Sequence, residues 1–258
     1  MKFEDKDVAI VSGGTSGLGK ATAELLVKLG LTVIVFGTDK VKGEYSSQKI
    51  GTEFQQVDVT DYISVNQGFA RSLEGGRKLR IMINCAGIAP VEKTISKGQA
   101  HTPELFEKTL KVNVLGTLYC ASQAAALIAT NKPIDLDGQK GIIINTASTA
   151  AYDGQMGQVA YAASKGAIVS MTLPMARDLA SHGIRVCTIA PGLFETPLVD
   201  SIDESVKKTI KAQTPFPPRL GKSYEFAKLI KHIILNPMFN GEVIRIDGGL
   251  RMAFNKKS

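Results

Sequence analysis

The chain has 258 residues, with 31 lysines and arginines against 24 acids for a formal charge of +7, 44% hydrophobic residues and 21% charged ones. That balance excludes an intrinsically disordered chain, and three widely spaced cysteines, Cys85, Cys120 and Cys187, exclude a disulfide scaffold and a zinc site of ordinary ligand spacing. The longest apolar stretch, 118–129, is broken by Ser122 and Gln123 and falls short of the ~20 residues of a membrane span, so a soluble chain with no membrane partner is expected.

The opening residues are mixed in charge and too short and acidic before the first apolar run to read as a targeting leader. From there, short β-branched runs alternate with helix-period segments, the pattern of βαβ units around a buried parallel sheet. A first strand over 7–12 runs into SGGTSGLG, Ser12 to Gly19, and then into a helix over 17–29. In that setting Gly13, Gly17 and Gly19 let the chain turn tightly and let backbone N–H groups approach a pyrophosphate, although a purely structural turn has the same composition. The second strand, 32–36, ends at Gly37, where a fold that prefers NAD offers an acid to the ribose. Asp39 supplies a displaced acid and Lys40 a cation for a 2′-phosphate, so these residues leave the coenzyme choice open.

A third strand over 53–57 leads to Asp58 and Val59. They suit an adenine contact, and Asp58 equally suits a cap for the helix expected over 61–73. The fourth strand, 80–84, closes on NCAG, which brings Asn84, Ala86 and Gly87 to the sheet edge where ligands bind; Asn84 is also a good turn former. A long helix over 104–129 carries Asn113, polar on a mostly apolar face and able to hold a water. The fifth strand, 141–147, delivers Ser148, whose hydroxyl can donate to a substrate oxygen.

The helix over 157–181 contains YAASK, which puts Tyr161 and Lys165 at i and i+4 on one face. A phenol titrates near about 10, and a neighbouring ammonium favours its ionised form. An exposed aromatic beside an exposed cation has the same spacing; the company of Ser148 and Asn113 favours a working acid and its activator. A sixth strand over 184–190, a short helix near 203–212, a helix over 224–235 and a strand over 242–247 complete one domain spanning 1–258. The only clustered basic run, 206–211, reads as a solvated face.

Taken together, SGGTSGLG, DVT, NCAG, Asn113, Ser148, YAASK and PGLFET resemble the short-chain dehydrogenase/reductases, in that family's order along essentially the whole chain. The resemblance implies an α/β, Rossmann-like, doubly wound seven-stranded parallel sheet with helices on both faces. It implies a nicotinamide cofactor and no metal. It also implies that Tyr161 is the general acid/base, that Ser148 positions the reacting oxygen, that Lys165 lowers the tyrosine pKa and holds the nicotinamide ribose, and that Asn113 anchors a proton relay. Cofactor contacts are implied for Gly13, Ser16, Gly17, Leu18 and Gly19, for Gly37 or Asp39, and for Asp58, Val59, Asn84, Ala86 and Gly87. Pro191, Gly192 and Thr196 complete that set with Tyr161 and Lys165. Gln155, Phe194 and Leu198 join Ser148 and Tyr161 on the substrate side.

Within the family, GIIINTAS, AYAASKGAIVSMTLPMARDLA, GIRVCTIAPGLFETPL and NGEVIRIDGGLRM are similar to the type 2 3-hydroxyacyl-CoA dehydrogenase group, classed also with 17β-hydroxysteroid dehydrogenases. That likeness implies NAD, an acyl-CoA substrate, a homotetramer and a mitochondrial location. In APVEKTISKGQAHT, Lys93 or Lys97 is expected to hold the acyl-CoA phosphates. Two departures bear on these expectations. Gly37 replaces the group's acid and keeps NADP open, and the missing basic leader keeps a cytoplasmic location open. Two competing readings are an NADPH-dependent hydroxysteroid or small-carbonyl reductase, since Phe194, Leu198 and Phe216 would accept a steroid, and a scaffold subunit with an RNA or methyltransferase partner.

Overall fold

Strands β1 (Asp7–Ser12), β2 (Thr32–Gly37), β3 (Glu53–Gln56), β4 (Lys78–Asn84), β5 (Gly141–Thr146), β6 (Ile184–Pro191) and β7 (Val243–Ile246) pair in parallel. They form one sheet in the order β7-β6-β5-β4-β1-β2-β3, seen in a computed structural model that describes residues 3–200 and 212–251. The central strands read as near-continuous apolar runs because both faces of the sheet are covered. On one face Val8, Ile10, Met82, Ile143 and Val186 share a core with helices α3 (Tyr62–Ser72), α4 (Pro103–Ala129) and α5 (Val159–Ala180). On the other, Val11, Ile83 and Ile144 pack with Leu26 of α1 (Gly17–Lys28) and with Phe226 and Ile230 of α6 (Ser223–Leu235). Helix α2 (Lys40–Ile50) lies between β2 and β3. The chain order reverses between β1 and β4, so the loops leaving their carboxyl ends part there and open a crevice.

Helix α2 has no counterpart in the sequence reading. Its buried residues are Gly43, Ser46 and Ser47, so it shows no apolar period. Gly43 lies so close to the Phe54 ring that small size, not hydrophobicity, docks this helix. A second addition is an antiparallel pair, Ile95–Ser96 with Gln99–Ala100, in which Lys97 takes φ 50° at the turn. Helix α4, at 27 residues, is long enough to cross a membrane, but Cys120, Ala121, Ala124 and Ile128 are buried against the sheet in the manner of a core helix. It widens to π geometry at Lys111–Leu115, around Asn113. The basic run 206–211, most of the helix expected near 203–212, and the tail from 252 lie outside the described residues.

Candidate active site

The strand ends enclose a crevice of about 680 Å³, in the size range of a cofactor site. Gly13, Ser16, Gly17, Leu18 and Gly19 line one end. Gly13 takes φ +66°, and a Cβ there would stand 2.7 Å from the Ala86 nitrogen, so the loop can lie against the NCAG segment only as glycine. Gly19 likewise leaves no room for a Cβ against the Gly13 carbonyl. Ser16 opens α1 without a side-chain cap, and no acid occupies the first turn. Gly17, Leu18 and Gly19, whose N–H groups open this 12-residue helix without a cap from Ser16, line the crevice, which fits a pyrophosphate. Thr196 closes over this loop, its Cβ 3.3 Å from where a Cβ on Gly17 would stand.

Ala86, Gly87, Ser148, Tyr161, Lys165, Pro191, Gly192 and Phe194 line the rest. Lys165 is 5% exposed and donates from Nζ to the Thr146 carbonyl at 2.7 Å. Burial pulls its pKa from 10.5 to about 8. Tyr161 lies one helical turn before it, with the lysine Nζ 5.8 Å from the centre of its ring. Its pKa is raised by burial, and the interaction that opposes burial is a hydrogen bond with Ser148. The ammonium is itself desolvated and bonded to Thr146, so in this geometry it does not outweigh the tyrosine's burial. Ser148 Oγ accepts from the Ala150 nitrogen at 3.1 Å, which orients the hydroxyl.

Asn113 is fully buried. Its Oδ1 accepts from the Ile88 nitrogen and its Nδ2 donates to the Ile88 carbonyl and to Ser164 Oγ, each at 2.9 Å. Ser164 in turn donates to the Tyr161 carbonyl at 2.7 Å. The side chain thus holds the Ile88 strip against the tyrosine's turn with both amide hydrogens engaged, while Oδ1 keeps one acceptor position. Cys85 meets Thr146 Oγ1 at 3.4 Å, and burial pushes its thiol up to about 11, far from a thiolate at neutral pH.

Other expected residues stand back from the crevice wall. Asn84 lies beneath it, donating to Asn145 Oδ1 at 2.9 Å, and Val59 is buried against Gly116. Asp58 is exposed and accepts from the nitrogen and hydroxyl of Thr60, both at 2.8 Å. The cap of α3 is Asp61, which accepts from Ile63 nitrogen at 2.9 Å, so the capping alternative for Asp58 is corrected. Gly37 abuts Thr15 and Phe54, while Asp39 caps α2 by accepting from the Lys42 nitrogen at 3.0 Å.

On the substrate side, Gln155 turns back to the Asp153 carbonyl at 3.4 Å, and Gln158 lines the crevice in its place. The signal was available: Gln158, Tyr161 and Lys165 fall at i, i+3 and i+7 on one helical face. Leu198 lies in the turn Pro197–Asp200, its side chain outside the description, and Phe216 is 80% exposed rather than in the crevice. Lys93 and Lys97 are exposed on the segment that follows Val91, itself a lining residue.

Residues 7–207 match the family model described as short chain dehydrogenase. The chain is 49% identical over 249 residues to a 3-hydroxyacyl-CoA dehydrogenase type-2 of Homo sapiens, covering 95% of each chain. It is 47% identical to the protein of that name from Drosophila melanogaster, covering 95% of this chain and 97% of that one. A crystal structure of 3-hydroxyacyl-CoA dehydrogenase type-2 from Mycobacterium avium superposes with a TM-score of 0.91 at 35% identity, covering 98% of this chain and all of that one.

Proposed function

The chain belongs to the short-chain dehydrogenase family, and from that premise we propose that it interconverts 3-hydroxyacyl-CoA and 3-oxoacyl-CoA with NAD(H). The observation that carries the reading is the meeting of Tyr161, Ser148 and Lys165 on one wall of a crevice whose far end is an uncapped helix N-terminus. A bound nicotinamide supplies the hydride acceptor for oxidation and the donor for reduction. The uncapped turn of α1 would hold its pyrophosphate, and Lys165 and Tyr161 would hold its ribose.

The chain's own residues manage the proton and the oxygen. As the phenolate, Tyr161 Oη takes the substrate hydroxyl proton in oxidation, and as the phenol it gives that proton to the substrate oxygen in reduction. Ser148, oriented by the Ala150 N–H it accepts, turns its hydroxyl hydrogen from Tyr161 to the substrate oxygen as charge develops there. Lys165 places positive charge behind the phenol, where it counters the phenolate as it forms. Ile88, Val91, Phe194 and Val199 give the acyl chain an apolar wall.

The finer assignments belong to the same reading. Asp39 uses Oδ1 on its own helix and keeps Oδ2 for a ribose hydroxyl, and its charge opposes a 2′-phosphate, which favours NAD. Lys93 and Lys97, exposed next to the crevice mouth, take the acyl-CoA phosphates. Among the described residues strand β7 pairs only with β6 and so stands at a sheet edge, which supports self-assembly into a tetramer. Tyr161→Phe tests the core of the proposal. Turnover should fall by roughly 10²- to 10⁴-fold with coenzyme affinity retained; a variant that keeps wild-type turnover refutes the role given to the tyrosine.

A further inference from the structure

Beneath the crevice, on the sheet face covered by α4 and α5, four polar side chains stand in one row. Ser12, Asn84, Asn145 and Thr188 occupy matched register positions on β1, β4, β5 and β6, the strands whose loops build the crevice. All four are exposed by 3% or less. Each follows by two residues a member of the same core cluster, namely Ile10, Met82, Ile143 and Val186, so strand alternation puts the row on one face.

The bonds along the row run in one direction. The Ala86 nitrogen donates to Ser12 Oγ at 3.4 Å, Ser12 Oγ to Asn84 Oδ1 at 3.3 Å, and Asn84 Nδ2 to Asn145 Oδ1 at 2.9 Å. The sequence of donors ends at Asn145 Nδ2, which is buried and bonds to no protein atom. On the next strand Thr188 Oγ1 lies 2.6 Å from Thr172 Oγ1 of α5. Thr172 donates to the Ile168 carbonyl at 2.9 Å, so the hydrogen between the two threonines comes from Thr188, which keeps an acceptor site. A donor without an acceptor therefore faces an acceptor with room to spare. Neighbouring strands stand about 4.8 Å apart, which suits a bridge of two hydrogen bonds through one water and is long for a direct bond.

We propose that Asn145 and Thr188 hold a single internal water, and that the completed row is a positioning device. It fixes the loops after β1, β4 and β5 against the Ile168 turn of α5, one turn beyond Lys165. Ser12 precedes the coenzyme loop, Asn84 the NCAG loop and Asn145 the strip leading to Ser148. One hydrogen-bonded line thus aligns the residues that hold coenzyme, substrate oxygen and proton. The positioning half rests on the catalytic roles proposed above; the water half does not.

A crystal structure resolving ordered solvent should show density within about 3.2 Å of both Asn145 Nδ2 and Thr188 Oγ1. Thr188→Val keeps the side-chain shape, deletes the acceptor and should lose that density. In the same variant kcat should fall about tenfold, with coenzyme Kd and substrate KM within about twofold of wild type, since a misplaced catalytic group slows chemistry without loosening binding. Thr188→Ser should restore both water and kcat. No density at that point in the wild type, or Asn145 Nδ2 bonded directly to a protein atom, overturns the water site. Wild-type kcat in Thr188→Val, or equal loss in the Ser variant, overturns the positioning role. The density measurement needs no substrate, so it decides the water site even where the proposed reaction fails.

Discussion

At the floor of the crevice both side-chain polar atoms of Asn113 are bonded and Lys165 is 5% exposed, whereas at the rim Lys93 and Lys97 stand exposed beside paired strands of two residues each. The floor hangs on two long helices and the central strands; the rim hangs on a short ribbon tied down by the Glu92 nitrogen to the Gly157 carbonyl at 2.8 Å. Groups that move a proton must be held against water and against their own burial cost, which only a packed, fully bonded setting provides. Groups that receive the phosphates of a long substrate gain from exposure and from freedom to adjust. The difference implies that floor substitutions act on kcat and rim substitutions on KM.

The sharpest way to break that division is at Lys165. Replacing it with methionine should cut turnover at least about 100-fold. It should also reveal the charge's cost to the fold. Burial lowers the lysine pKa from 10.5 to about 8, so folding disfavours the protonated form. The penalty is full below pH 8 and is relieved as pH rises from there toward 10.5. The Tm of Lys165→Met relative to wild type should therefore be highest near neutral pH and decline into the alkaline range. A difference that stays constant with pH would mean that the lysine is not held in this way.

At the rim, reversing both charges with Lys93→Glu and Lys97→Glu should raise the acyl-CoA KM by about tenfold and leave kcat near wild type, the signature of lost uniform binding. An unchanged KM would remove the hairpin from the substrate site. The smallest effect is expected at Asp39, where Asn keeps the cap of α2 and loses the charge. NADH affinity should weaken a few-fold while NADPH affinity improves, since one exposed charge is worth about 1 kcal/mol or less. No change in the ratio would take Asp39 out of coenzyme selection.

The floor was far more legible in the sequence than the rim. Strands β1, β2, β4, β5 and β6 announce themselves because burial on both faces demands apolar runs, and Tyr161 and Lys165 sit at a fixed spacing on a long helix. Helix α2 escaped because glycine and serine form its buried face, and the Ile95–Ala100 ribbon escaped because its strands bury nothing. Gln158 lines the crevice where the resemblance implies Gln155, because the chain enters α5 at Gln158, one turn before Tyr161. Asn113 was found by its polarity, but its partners, Ile88 and Ser164, follow only from the fold. The row from Ser12 to Thr188 is invisible in the sequence, since each member is a single polar residue near a strand end and only the register lines them up.

The most direct test of the central claim is the initial rate of acetoacetyl-CoA reduction with NADH and with NADPH, measured beside Tyr161→Phe. The account predicts turnover with NADH, little with NADPH, and a variant that binds NADH but does not turn over. Wild-type protein inactive with both coenzymes, or a Tyr161→Phe variant as fast as wild type, would contradict it.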